Sequence, residues 1–194
     1  MSPTSLLRTA GWLVCGLYAT IPAFWMAVHP FVHRWRRARF KFKLLAPWWM
    51  LLWVMAWIVS WPWRNAILYD RPALWIVSFA CWAVSITMYS HGGSGLSIDR
   101  IIGKHEVEPN ATQHLVTTGI YAHVRNPIYF GHICTMLGWS LGTGTIACWS
   151  LTAFYVTTLL IMIPQEEREL EQRFGAEYRD YTQRVPRLIP KFGK

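Results

Sequence analysis

Charges divide this chain into long apolar stretches. No Asp, Glu, Lys or Arg occurs between Arg8 and Arg34, between Lys43 and Arg64, between Arg71 and Asp99, or between Arg125 and Glu166. A spanning helix takes about 20 mostly apolar residues, so each of the first three stretches fits one helix. The fourth is about twice as long as one span requires, and Gly142-Thr143-Gly144-Thr145 sits near its middle. It reads as two helices joined by a tight uncharged turn. The pattern predicts an all-α integral membrane protein with five transmembrane helices, near 10–28, 45–61, 73–89, 127–141 and 146–163, the last two forming a hairpin. Trp48, Trp49, Trp61 and Trp63 mark both interfaces of the second helix as an aromatic belt. The third is expected to stop at the glycine cluster His91-Gly92-Gly93-Ser94-Gly95. From Leu96 to Asn126 the chain is polar, basic and rich in His, which predicts a cytoplasmic loop with short extended pieces such as 114–117. Pro127 suits the first turn of the fourth helix, with Asn126 available as its cap. Pro164 interrupts the fifth helix. Beyond it, Gln165 to Tyr181 holds strong helix formers and charge pairs such as Glu169–Arg173, predicting a cytoplasmic helix that continues past the proline kink and breaks near Gly175.

Composition agrees with this pattern. The chain has 194 residues, is 53% hydrophobic, carries 13 Trp and is only 15% charged, where a soluble domain shows about 25%. Residues 1–194 read as a single membrane domain with three spanning helices in 1–90. The net charge of +9 suggests nucleic acid until its distribution is considered. Arg34, Arg36, Arg37, Arg39, Lys41 and Lys43 crowd the first loop, Arg100, Lys104 and Arg125 lie in the third, and seven basic residues from Arg168 to Lys194 lie in the tail. The opposite face receives only Arg8, Arg64 and Arg71. This positive-inside bias predicts an outside N-terminus and a cytoplasmic C-terminus. Membrane lipid is the partner it implies, with no nucleic acid. Cys15, Cys81, Cys134 and Cys148 fall within predicted spans without metal or disulfide spacing. The first apolar stretch is long enough to span and no small-residue cleavage site follows it, so it is not read as a signal peptide. No internal repeat and no ionisable group inside the spans is apparent, which sets a transporter or channel aside.

Polar groups gather at both mouths of the predicted hairpin. Arg125-Asn126-Pro127-x-Tyr129 opens the fourth helix, whose free N–H groups suit a carboxylate or phosphate. Glu166-Glu167-Arg168 follows the fifth and returns to the same membrane face. His105, His114, His123 and His132 are evenly spaced, but the spacing crosses Pro109, Gly119 and Pro127, so no helix aligns them as ligands. No metal site is expected.

The tract Gln113-His114-Leu115-Val116-Thr117-Thr118-Gly119-Ile120-Tyr121, then Arg125-Asn126-Pro127-Ile128-Tyr129-x-Gly131, then Glu166-Glu167, Phe174-Gly175-x-x-Tyr178-x-x-Tyr181 and Arg184-Val185-Pro186 resembles the isoprenylcysteine carboxyl methyltransferase family. The resemblance covers about 103–190. Arg-Asn-Pro stands where the eukaryotic enzymes have Arg-His-Pro and is shared with prokaryotic relatives and phospholipid methyltransferases. The resemblance implies a membrane-embedded enzyme using S-adenosyl-L-methionine and releasing S-adenosyl-L-homocysteine. It implies cofactor contacts at Glu106, Gln113, His114, Leu115, Val116, Tyr121, Asn126, Pro127, Ile128 and Tyr129. Arg125, Glu166, Glu167 and Arg168 become the catalytic candidates, Arg125 or Arg168 orienting a carboxylate of a prenylated cysteine. Two alternatives remain: methylation of a lipid amine, with Glu166 or Glu167 as base, and an NADPH-dependent membrane reductase of the sterol type.

Overall fold

The computed structural model describes residues 2–28, 41–94 and 114–191. Among these residues six α-helices follow in order: α1 (Pro3–Val28), α2 (Lys41–Ser60), α3 (Leu74–Ser94), α4 (Pro127–Thr143), α5 (Ile146–Phe174) and α6 (Ala176–Arg184). Short 3-10 turns occupy Trp61–Trp63 and Gly119–Ala122. Among the described residues there is no strand, only an isolated bridge between Ile67 and Thr145. Four helices among the described residues are long and apolar enough to cross a membrane, namely α1, Leu45–Trp63, Leu74–Gly93 and α5, as befits a multi-pass membrane protein.

Three boundaries differ from the sequence pattern. α1 begins at Pro3, where proline costs no helical hydrogen bond. α3 continues through Gly92 and Gly93 to Ser94, because Gly92 packs against α4: a Cβ there would come within 2.9 Å of Ile128. α5 passes Pro164 without a break, and its end at Gly175, where φ is +58°, follows the glycine rule. The acidic residue Glu106 lies outside the described residues.

α4 packs most extensively on α3, and α5 on α1. Gly131, Gly138 and Gly142 recur on one face of α4, where they meet Tyr89, Trp82 and Trp75 in reverse order along α3. The two helices are therefore antiparallel. A Cβ at Gly131 would lie 2.7 Å from the Tyr89 ring, and one at Gly142 would lie 2.7 Å from the Trp75 ring. Small residues let membrane helices approach closely, and here the rings fill the space the missing Cβ atoms leave. Between α1 and α5 the core holds Trp12, Cys15, Ala19, Cys148, Leu151 and Tyr155. α2 joins through side-chain hydrogen bonds, Trp12 Nε1 donating to Ser60 Oγ at 2.8 Å and Trp49 Nε1 to Thr20 Oγ1 at 3.1 Å.

The two ends of the bundle differ. At one end, Arg8 pairs with Asp70 at 2.9 Å, and the α2–α3 link bonds the α4–α5 turn through Leu68 N to Gly144 O (2.8 Å) and Ile146 N to Ala66 O (2.9 Å). Gly144 has φ of +60°, and a Cβ there would strike the Tyr69 carbonyl, so only glycine fits this turn. At the other end lie the close of α3, the 119–122 turn, the start of α4, the polar half of α5, and α6. That end carries the motif residues.

Candidate active site

Each site residue is held by a different element, and the polar half of α5 joins them. Arg125, one residue before Asn126, points at α5 and the stretch after α6. Its Nε and Nη2 donate to Glu167 Oε1 at 3.1 and 2.6 Å. Its Nη1 donates to the carbonyls of Thr182 and Val185, both at 2.8 Å. The side chains are only 9% and 14% exposed. Glu167 Oε2 takes a second cation, Arg187, at 2.6 Å, with Arg187 48% exposed. A planar guanidinium can satisfy several acceptors at fixed angles, which a lysine cannot. Arg125 is thus the hub that ties α4, α5 and α6 together.

Glu166 faces a different direction on α5 and accepts a 3.0 Å hydrogen bond from the Tyr129 hydroxyl. Asn126 is the N-cap residue of α4 by position, yet its side chain does not cap the helix. Its Nδ2 instead donates to the Arg187 carbonyl at 2.9 Å. The expected cap is not formed: the side chain turns its NH₂ to a folded-back carbonyl, and its Oδ1 accepts from no N–H of the helix. Pro127 is fully buried, beside Gly92 with Ile128. Tyr121 donates to the Gly92 carbonyl at 3.2 Å, and the Tyr121 carbonyl accepts from the Tyr181 hydroxyl at 2.7 Å. Leu115 packs on the cluster of Tyr178, Tyr181 and Val185, while His114 is exposed. Gln113 and Glu106 lie outside the described residues.

Burial raises the Tyr178 hydroxyl above its ordinary range, with the Glu167 charge adding to the rise and Arg125 opposing it. Burial pushes Tyr181 up to about 12, again against Arg125. Both phenols are therefore neutral donors at physiological pH.

A cavity of about 380 Å³ opens on the far side of the Arg125–Glu167 pair, lined by Pro164, Arg168, Glu171, Tyr178, Arg179 and Arg187 among others. It gathers three of the four catalytic candidates, Arg125, Glu167 and Arg168, but Glu166 and the cofactor candidates do not line it. Arg168 is exposed there and makes no hydrogen bond or ion pair among the described residues.

Three further residues had weak or no signal in the sequence. Arg187 became visible only when the chain after α6 folded back, although the Arg-Val-Pro motif directly precedes it. Gln165 has a buried side-chain oxygen with no hydrogen-bond partner among the described residues, an acceptor suited to an N–H or O–H donor. His132 lies in α4 with its Nδ1 3.0 Å from the Tyr155 hydroxyl and its ring 4.8 Å from that of Tyr18. The apparent lack of ionisable groups inside the spans is thus corrected by a tyrosine-enclosed histidine. Among the described residues no three His, Cys, Asp or Glu side chains come together as ligands.

A polar cap joins the two motif segments at one end of a bundle of apolar helices, which makes it the candidate site of a multi-pass membrane protein. A family model described as phospholipid methyltransferase matches residues 71–177, more than half of the chain, and the chain belongs to that family. The resemblance to isoprenylcysteine methyltransferases is borne out by named relatives. Protein-S-isoprenylcysteine O-methyltransferase B of Arabidopsis thaliana is 34% identical over 93 residues, 44% of this chain and 45% of that protein. Protein-S-isoprenylcysteine O-methyltransferase of Schizosaccharomyces pombe is 32% identical over 133 residues, 63% of this chain and 50% of that protein. Methanethiol S-methyltransferase 1 of Bradyrhizobium diazoefficiens is 32% identical over 120 residues, 59% of this chain and 40% of that protein. The chain spans about half the length, or less, of these relatives. No solved structure matches it.

Proposed function

We propose that this protein transfers a methyl group from S-adenosyl-L-methionine to the α-carboxylate of a prenylated cysteine or a similar lipid-borne carboxylate at the cytoplasmic membrane face. One observation carries the reading: the two motif segments, far apart in sequence, are joined by Tyr129–Glu166 and Arg125–Glu167 contacts at a single end of the bundle. The five-span arrangement belongs to the same proposal. α4 has 17 residues, about 26 Å at 1.5 Å per residue, close to the hydrocarbon thickness. Its Ser140 hydroxyl meets Thr152 of α5 at 2.9 Å, in keeping with a hairpin. The basic loops favour a cytoplasmic site.

The cofactor brings the methyl group and its own leaving group. Asn126, Pro127, Ile128, Tyr129, Tyr121 and the 113–116 segment with Glu106 would hold it. The unpartnered Gln165 oxygen fits a ligand rich in N–H and O–H donors. Tyr129, oriented by Glu166, would present its ring to a cationic centre. The chain's task is alignment and exclusion of water, which can lower the barrier by several kcal/mol. A carboxylate nucleophile is already ionised and needs a counter-cation. Arg125 has its donors engaged in the clamp, so Arg168 is the better candidate. Glu167 fixes Arg125 and faces the cavity.

Methylation of a lipid amine is the second reading, favoured by the family description. There an ammonium must lose a proton, and Glu166 would accept it. The pH dependence separates the two, since amine methylation climbs steeply toward alkaline pH and carboxylate methylation does not. The reading is tested by calorimetric titration with S-adenosylhomocysteine, followed by methyl transfer to an S-farnesylated cysteine peptide. Saturable binding with esterification of the peptide is expected. Binding of NADPH without S-adenosylhomocysteine would overturn the assignment.

A further inference from the structure

The stretch after α6 lies across the start of α4, and its contacts fall on the proposed site. The Pro186 carbonyl accepts from Arg125 N at 2.9 Å, and Lys191 N donates to the His123 carbonyl at 3.1 Å. The Val185 carbonyl takes the Arg125 guanidinium, and the Arg187 carbonyl takes Asn126 Nδ2. The Arg187 side chain pairs with Glu167 Oε2. These contacts fix two polarities. Only the NH₂ of Asn126 can face a carbonyl, because two carbonyl oxygens at that distance would repel each other. Asn126 therefore turns its Oδ1, a pure acceptor, away from the stretch. Glu167 has one oxygen set by Arg125 and the other by Arg187.

We propose that residues 185–191 are a positioning element of the cofactor site, an inference that rests on the methyltransferase reading above. By holding the Asn126 amide, the stretch makes this side chain read a hydrogen-bond donor: an ammonium, a hydroxyl or an exocyclic amine of a nucleoside ligand. A ligand carboxylate is disfavoured at the same position, since acceptor would meet acceptor. Arg187 sets the second oxygen of Glu167. Neither acts on the reacting atoms; each acts through a residue that faces the ligand. Because the stretch holds Asn126 and Glu167 in the orientation the ligand reads, docking of the stretch and binding of the ligand favour each other, and linkage makes the two effects equal.

The test uses the intact chain in detergent with two readouts, calorimetric affinity for S-adenosylhomocysteine and amide hydrogen exchange of residues 185–191. Ligand should slow exchange in this stretch about tenfold, within the usual range of coupling between linked sites. Asn126→Asp keeps an oxygen for the ligand but has no N–H for the Arg187 carbonyl. It should speed exchange without ligand and weaken affinity about tenfold. Arg187→Gln should weaken affinity similarly, and Arg187→Lys, which restores a cation to Glu167, should recover it to within about threefold. A stretch that only supports the fold would lower the melting temperature of the variants, leave affinity unchanged and show no ligand protection. That result overturns the proposal while sparing the methyltransferase reading. An intact, folded chain that binds no S-adenosylhomocysteine removes both.

Discussion

Arg125→Met tests the clamp most directly. The methionine fills a similar volume but removes two charge-assisted bonds to Glu167 and the donors to two carbonyls. Breaking a buried pair by removing one partner costs about 3–5 kcal/mol. Arg187 still faces Glu167, which limits the loss on the carboxylate side. The Thr182 and Val185 carbonyls lose their donor, at about 1–3 kcal/mol for each group left unsatisfied. These terms overlap, so we expect a total of about 3–5 kcal/mol. Arg187→Gln, by contrast, removes a half-exposed partner and should cost about 1 kcal/mol or less. The assay is chemical denaturation in detergent followed by Trp fluorescence, run as a double-mutant cycle with Glu167→Gln. Coupling between Arg125 and Glu167 of at least about 1.5 kcal/mol is expected for a contacting pair. An Arg125→Met cost below about 1 kcal/mol, or additive single costs, would show that the pair is incidental and refute the hub.

Gly138→Ala places a Cβ against the Trp82 indole at the α3–α4 contact and should destabilise by about 1–3 kcal/mol, read from the same denaturation curves. The same substitution at Gly119, where a Cβ would meet nothing within 4 Å, strains only its positive φ and should cost about 1 kcal/mol. Tyr181→Phe removes the donor to the Tyr121 carbonyl, costing about 1–3 kcal/mol and raising amide exchange in the 119–122 turn. Tyr181 also gives stability a pH dependence. Its folded pKa of about 12 exceeds the value near 10 of an unfolded tyrosine, so the native state holds the proton more tightly. Its contribution is complete below about pH 10 and declines as pH rises toward 12, and Tyr181→Phe should flatten part of that decline in a melting-temperature series. Tyr129→Phe frees Glu166 from its hydroxyl partner. It should weaken S-adenosylhomocysteine binding by roughly threefold to tenfold with little change in melting temperature, the outcome expected if the Tyr129 hydroxyl serves the proposed ligand while its ring keeps its packing.

Much of the membrane architecture was legible because lipid imposes one rule on every span. A segment in hydrocarbon must be apolar and must satisfy its own backbone, so charge-free length alone marks α1, α2, α3 and α5. The stop at Gly175 was legible for a local reason, since a positive φ selects glycine. The continuation of α3 through Gly92 and Gly93 was not, because the pairing that favours it, Gly92 against Ile128, is a tertiary contact. For α5 the sequence ended the span at Pro164 and expected a cytoplasmic helix to continue beyond a kink there; the structure joins the two as one helix from Ile146 to Phe174.

For the site, sequence alone nominated the candidate groups, through the family resemblance and the gathering of Arg, Asn, Tyr and paired Glu at one predicted membrane mouth. It could not say which donor meets which acceptor. Arg125 was a plausible substrate cation until α5, α6 and the stretch beyond α6 enclosed its guanidinium. Asn126 was a plausible cap until the Arg187 carbonyl took its amide. Composition and local spacing determine what a chain buries in lipid and where its helices must end. The partners of multivalent side chains are chosen by three-dimensional proximity between distant segments, and only the tertiary structure decided those.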